Sequence, residues 1–459
     1  MAEPDEKVVM AFGLSAFETT SPPHTDPDKD PDSPVLADST GAIEWAYPEG
    51  GLEAWLTVLG GWGAQVGGLG IVNTIGPLQS YIAQHQLRDH SPTSVAWIFS
   101  TYALLLFFCS LQVGPLFDAY GPRVLVLVGS ACVVVSMMLL GECTQYWHFM
   151  LDFSVLSGIG SSMLLTPSLA AIGHFFDKRR GFATGIAMTG PSIGGVMFPL
   201  IFRAAYPDLG FAWATRILGF TLICFFVIAN YFLKARLPPQ ARKVTLRSIL
   251  PDFKIFLDGD GSLALATAGL FLMELGLFIP IGYLTSYCIS QGISEAFSYN
   301  IIAILNASSV PGRFLPGFVA DKIGRYNTMT FFLLLCSLVN FCIWLPASTI
   351  STSASTTKAL AILFSITFGF TSGSNLGLIG PVLGQLCNTS DYGRYFATSY
   401  TFVSFATLIG LPIGGALVAA TGGRYWGLAI FTGLAYAGSA MCMGTVRVIK
   451  VGRRTKGIF

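Results

Sequence analysis

Charge is scarce in this chain. Of 459 residues only 11% are Asp, Glu, Lys or Arg, while 53% are hydrophobic; soluble domains carry about 25% charge. That shortage excludes a water-soluble globular protein and predicts a membrane protein. The formal net charge of +1 gives no field for a polyanion, and no basic tract interleaved with aromatics follows a phosphate backbone, so nucleic acid is excluded as a partner. Metal-ligand spacing is missing too: the nine cysteines are scattered through apolar runs with no C-x-x-C pair, and no metal or cofactor is expected. No G-x-x-x-x-G-K stretch occurs to cradle the phosphates of ATP. Gly190 to Gly194 does spell G-x-S-x-G, but inside an apolar run with no strand before it, so a hydrolase elbow is not supported and no enzyme is expected.

Apolar runs of about 20 residues, the length that crosses a bilayer, fill most of the chain. They cover 53–83, 94–116, 123–142, 147–173, 181–204 and 212–233, then 262–289, 297–319, 326–346, 358–384, 395–419 and 426–446. The fold class predicted is an all-α membrane protein of twelve transmembrane helices in two six-helix parallel repeats. Its parts are a first bundle over 47–233, a polar linker over 234–260, a second bundle over 261–447 and a short tail over 448–459. Residues 1–46 are rich in Pro, Asp, Ser and Thr, and twelve of the 25 acidic residues fall at or before Glu53. Such a composition predicts a disordered tail. It lacks the basic and apolar regions of a cleaved signal, which leaves the first span as the targeting signal.

Orientation follows from Lys and Arg, which gather on cytoplasmic loops. With the N-terminal tail inside, eighteen fall on the cytoplasmic loops and C-terminus and five on the opposite loops. Both termini are therefore expected in the cytoplasm, the plasma membrane being the default location and the vacuolar membrane the alternative. Two internal matches support the halving. Gly114, Asp118 and Gly121 of GPLFDAYGPR recur as Gly317, Asp321 and Gly324 of PGFVADKIGR; Pro167, Arg180, Phe182, Ala183 and Thr184 recur as Pro381, Arg394, Phe396, Ala397 and Thr398. Parallel repeats of this kind place a substrate near the midplane, between the halves.

The repeated G-x-x-x-D-x-x-G-x-R loop resembles the signature of the major facilitator superfamily. YPEGG (47–51), PSLAAIGHFFDKRRGFATGIAMTGPSIGG (167–195) and GLFIPIGYL (276–284) resemble the monocarboxylate-porter family, its fungal members in particular, and the likeness covers about residues 47–450. The resemblance implies a secondary transporter of a small organic anion or carboxylated metabolite, working by alternating access and coupled to protons. An exporter of a secondary metabolite, which need not be charged, shares the architecture and is the alternative. One chain supplies both halves of the path, so a functional monomer in the lipid bilayer is expected.

The residues that carry this reading are the polar ones in apolar surroundings. Arg313 stands eight residues before Asp321, roughly 12 Å deep in a core about 30 Å thick. The resemblance assigns it to a substrate carboxylate, which suits a guanidinium fork; the other reading is an arginine that ties helices together. Aligned positions put Ser309 where animal members carry an aspartate and Asn73 where they carry a lysine, and both are candidate substrate contacts. Tyr283 and Tyr287, one turn apart in the seventh span, are candidates for contact with a ring, or else face lipid. Glu274 lies near mid-depth of that span and is a candidate proton carrier or a protonated structural acid. Asp152, one turn after His148 near the start of span four, is a second candidate pair for coupling. Asp118 and Asp321, with Arg123 and Arg325, are read as cytoplasmic gates rather than plain topogenic charge, since the spacing repeats in both halves.

Overall fold

Hydrocarbon offers no partner to backbone N–H and C=O groups, so apolar runs of this length are stable as helices that satisfy themselves. The computed structural model is helical throughout, with no strand among the described residues. The structure describes residues 47–176, 179–237, 251, 253–256, 260–350, 353–387 and 392–452, and those from 48 onward form one compact unit.

Among the described residues, ten helices are long and apolar enough to cross a membrane. One of them, Phe182–Phe232, has 51 residues, about 76 Å at 1.5 Å per residue and more than twice a core about 30 Å thick. It reverses at Gly210, where φ is 74° and ψ 178°, and so contains spans five and six. Span eight, Glu295–Ile323, forms a helix of 29 residues but is not among the ten. Asn300, Asn306, Ser308, Ser309 and Arg313 make it too polar, although it stands inside the bundle like the others.

The other spans are single helices or pairs broken by a short irregular turn. Span two is Pro92–Tyr120, entered through Ser91, whose hydroxyl accepts from the Ser94 amide at 3.1 Å. Span three is Pro122–Leu140 and span four Tyr146–Gly173. In the second half, span seven is Ser262–Ser290, span nine Arg325–Thr349, span ten Ala354–Gly384, span eleven Tyr392–Ala420 and span twelve Trp426–Val451. The repeated loop has a repeated conformation. Gly121 after span two and Gly324 after span eight have φ of 74° and 94°, the region that glycine enters without steric cost.

Within the first half, span one packs on span four and on the five–six hairpin; within the second, span seven packs on spans eleven and twelve. The halves meet chiefly along five with eight, two with eleven, and the later part of span one with span seven. On the side from which span one starts, called here the tail side, the two most specific family stretches touch. The Glu49 carboxylate of YPEGG accepts from the Arg179 amide at 3.0 Å, and the Glu49 amide donates to the Phe175 carbonyl at 3.0 Å.

Candidate functional site

Two helices are interrupted at mid-depth. Span one runs as Leu52–Gly68, passes through a tight turn at Val72–Thr74 and resumes as Ile75–Gln84. Span five ends its first segment at Ala187 and restarts at Gly190, with Pro191, which has no N–H, in its first turn. Backbone carbonyls near such breaks are open to side-chain donors, and irregular backbone at membrane depth is tolerated where protein satisfies it. Here the donors come from span eight and from the other break. Arg313 donates through Nη1 to the Met188 carbonyl at 2.7 Å, and Asn73 donates through Nδ2 to the Pro191 carbonyl at 2.9 Å.

The contact between spans five and eight extends in both directions as a polar zipper. Ser192 and Ser309 share a hydrogen bond of 2.9 Å, Asn306 donates to the Gly195 carbonyl at 3.2 Å, and Arg203 donates to Asn300 at 3.0 Å. Numbers rise on one helix as they fall on the other, as an antiparallel pair requires. Gly195 is needed for space: a Cβ there would overlap the Asn306 side-chain amide. Asn73, Ser192, Asn306 and Ser309 are all buried.

Arg313 is left with unused capacity. It is partly buried, its Nε has no hydrogen-bond partner, and among the described residues no carboxylate lies within 4.0 Å of it. A guanidinium carries five donors, and one carbonyl does not balance a charge in low dielectric. An incoming anion would.

The other seam between the halves is built from rings. Phe107 of span two lies 6.4 Å from both Phe278 of span seven and Tyr400 of span eleven, Tyr400 stacks on Phe396 at 4.6 Å, and Phe108 meets Phe405 edge-on at 6.4 Å. On the far side, opposite the tail side, the halves are held by aromatics and close backbone contact. Tyr206 lies 4.3 Å from Tyr81 and 5.8 Å from Tyr299, bridging spans one, five and eight. Gly76 abuts the Ile281 carbonyl so closely that a Cβ would overlap it, and Gly415 leaves room for the Thr93 backbone.

The structure thus brings Arg313, Ser309 and Asn73 together and places the remaining candidates elsewhere. Tyr283 donates to the Leu411 carbonyl at 2.8 Å, within the second half and toward the far side. Tyr287 donates to the Ala347 carbonyl at 2.8 Å, its ring lying 5.6 Å from Tyr425 and 6.4 Å from Trp344. Glu274 is 2% exposed and its Oε2 has no partner. Asp152 sits in a π-helical stretch, Met150–Ser157, with both carboxyl oxygens unpartnered; it lines, with Cys143, Trp147 and His148, an open groove of about 410 Å³ where span three passes into span four. His148 accepts the Gln145 amide at 3.4 Å and so caps the helix start. Of the gate candidates, Arg123 is exposed and Arg325 donates to the Pro381 carbonyl at 3.4 Å. The side chains of Asp118 and Asp321 lie outside the described residues.

Sequence reading missed the span-five side of the seam. In span five only the G-x-S-x-G spelling of Gly190 to Gly194 drew notice, and in span eight Asn306 drew none. The available signal was register: with spans five and eight antiparallel, Ser192 and Gly195 oppose Ser309 and Asn306.

The sequence profile of the Major Facilitator Superfamily matches residues 61–380. A transporter named MFS-type transporter 1 from Ophiocordyceps sp. is 36% identical over 387 residues, 84% of this chain and 83% of its own. A riboflavin transporter of Saccharomyces cerevisiae is 34% identical over 458 residues, 95% of this chain and 84% of its own. An aspyridones efflux protein of Emericella nidulans is 36% identical over 379 residues, 82% and 74% respectively. Among solved structures, the nucleoside transporter NupG superposes with a TM-score of 0.65 over 85% of this chain and 99% of its own, at 14% identity, a likeness of fold.

Proposed function

The chain belongs to the Major Facilitator Superfamily and is a multi-pass membrane transporter, and from that premise we propose that its cargo is an organic anion bearing a ring system. The carrying observation is Arg313, a guanidinium on the seam between the halves with a free Nε and no described carboxylate near it. A carboxylate of the substrate takes those donors. Asn73, Ser192 and Ser309 sit beside it and exchange their mutual bonds for bonds to the substrate's polar edge. The rings of Phe107, Phe278 and Tyr400 on the other seam receive the apolar body by stacking.

Transport in this reading is alternating access driven by a proton gradient, in the manner of fungal monocarboxylate porters, with both termini in the cytoplasm and the protein in the plasma membrane. The halves rock about the far-side contacts of Gly76 and Gly415, and the zipper between spans five and eight opens and reforms. Two of the relatives are named for riboflavin and for aspyridones, which supports a ring-bearing cargo here.

A second reading is export of a neutral metabolite. The bond from Arg313 to the Met188 carbonyl favours it, because an arginine whose task is to tie two helices requires no anion in the cargo. Uptake and efflux of a panel of labelled carboxylates and neutral aromatic metabolites, in vesicles with and without an imposed pH gradient, separates the two. Carboxylates moving with the gradient support the first reading. Neutral compounds moving alone support the second.

A further inference from the structure

The groove where span three passes into span four lies apart from both seams, on the outer face of the bundle. Leu139, Trp147 and Leu151 line it and are 50%, 56% and 58% exposed; in a chain that spans a membrane, such side chains meet lipid. Asp152 lines it too, yet it is only 8% exposed and neither carboxyl oxygen has a partner. Buried polar atoms are paired in the great majority of cases, and an ionisable group at membrane depth is costly when left alone. The missing partner has to come from the bilayer.

The chain's own donors around Asp152 are spent. The Ser136 hydroxyl donates to the Asp152 backbone carbonyl at 3.2 Å, and the Cys143 thiol donates to the Leu139 carbonyl at 3.6 Å. Glu142 also lines the groove, but its carboxylate is held by Arg216. His148 supplies a group of the opposite kind. Its Nδ1 accepts the backbone amides of Thr144 and Gln145, each at 3.4 Å, so the ring proton sits on Nε2 and is a donor. The groove therefore offers an acceptor at Asp152 and a donor at His148. A hydroxyl answers both, since it donates and accepts, whereas an ammonium has donors only.

Depth narrows the choice further. Tyr146 and Trp147 open span four, and such rings gather at the membrane interface. Asp152 is five residues beyond Trp147, roughly 7 Å deeper at 1.5 Å per residue, below the level of phospholipid headgroups and among acyl chains that carry no donor. The helix is also π-helical there, over Met150–Ser157, a rare form found mostly at functional sites.

We propose that this groove binds a membrane sterol. The sterol's single hydroxyl donates to the Asp152 carboxylate and accepts from His148 Nε2–H, while its rigid apolar rings lie along Leu139, Leu151, Leu156 and Trp147. The volume of about 410 Å³ falls within the range of about 300–1,000 Å³ usual for small-molecule sites. The site is built from the first half alone and needs no assumption about the cargo.

The test is photolabelling of the purified full chain in phosphatidylcholine vesicles with a diazirine analogue of cholesterol, the labelled peptides being identified by mass spectrometry. The expected result is saturable labelling of the span three to span four region, competed by cholesterol but not by its 3-O-methyl ether, which cannot donate, nor by phosphatidylethanolamine, which brings an ammonium. Asp152→Leu is expected to lower this labelling about ten-fold, the scale of a lost hydrogen bond to a charged group, and Asp152→Asn, which keeps an acceptor oxygen, to recover part of it. Leu151→Trp fills the groove from an exposed position and is expected to block labelling as well, and it serves should Asp152→Leu fail to fold. Labelling that is absent, not saturable or centred on other spans overturns the proposal, as does labelling unchanged in folded Asp152→Leu or Leu151→Trp. Competition by the methyl ether as strong as by cholesterol overturns the role of the hydroxyl, and competition by phosphatidylethanolamine gives the groove to a headgroup amine instead.

Discussion

The two long seams between the halves are built from opposite materials. Spans five and eight are joined by hydrogen bonds, from Arg203–Asn300 through Ser192–Ser309 to Arg313–Met188, whereas span two meets span eleven through Phe107, Phe108, Tyr400 and Phe405. Hydrogen bonds are directional, and a helix that shifts by one residue loses them. Rings slide with less loss, since stacked and edge-on arrangements span a broad range of centroid distances. The polar seam therefore sets register, and in the proposed function it recognises charge. In the same proposal the aromatic seam allows motion and receives an apolar body.

Removing the charge is the severest way to break that division. Arg313→Ala is expected to lower carboxylate transport by about 30-fold or more, since truncating one partner of a buried charged pair costs roughly 2–5 kcal/mol. Arg313→Lys is expected to recover little, because a single ammonium cannot hold the Met188 carbonyl and fork a carboxylate as well. Initial rates in vesicles at matched protein density measure both.

Filling the polar seam comes next. Gly195→Ala places a methyl against Asn306 and is expected to destabilise the folded protein by about 1–3 kcal/mol, the usual cost of overpacking. The double variant Gly195→Ala with Asn306→Ala should regain part of the loss in thermal unfolding. If the single variant unfolds like the wild type, the zipper is not closed as described. On the aromatic seam the effect is smaller and differs in kind. Phe107→Ala is expected to weaken a ring-bearing substrate by about 0.5–1.5 kcal/mol, several-fold in apparent affinity, with a ringless carboxylate unaffected. Equal losses for both substrates would make Phe107 a packing residue.

How much of this was legible beforehand differs by type of contact. Hydropathy and the repeated loop disclosed the halves, because crossing lengths and topogenic charge are properties of single segments. Arg313 and Glu274 were visible for the same reason: an ionisable group in an apolar run stands out alone. The hydrogen-bond partners did not stand out. Met188 and Pro191 act through backbone carbonyls, which no side-chain pattern reports, and Gly195 matters only because Asn306 lies opposite. Tyr283 and Tyr287 share a helical face in sequence, yet their hydroxyls end on Leu411 and Ala347 of different neighbouring helices. The hairpin at Gly210 was visible as a gap between the apolar runs 181–204 and 212–233, which a count of apolar helices alone would miss.

The smallest effect lies outside both seams and serves as a control. Lys450 and Ser262 hold the Asp260 carboxyl well below the usual carboxylate range, joining the linker end to span twelve through an ion pair of 2.8 Å. A depressed folded-state pKa stabilises above the unfolded value, near 4, and the contribution disappears as pH falls through the folded value. Asp260→Asn should thus lower Tm slightly at neutral pH, with the difference from wild type closing only in strong acid. A difference that closes between pH 5 and pH 7 would belong to another group.

The most direct test of the central claim compares a ring-bearing carboxylate with its isosteric amide, as substrates for wild type and Arg313→Gln in the same vesicle preparation. The account predicts that wild type moves the carboxylate far faster than the amide and that Arg313→Gln abolishes the preference. An equal preference in both proteins would contradict it, leaving Arg313 a tie between helices and placing recognition elsewhere in the bundle.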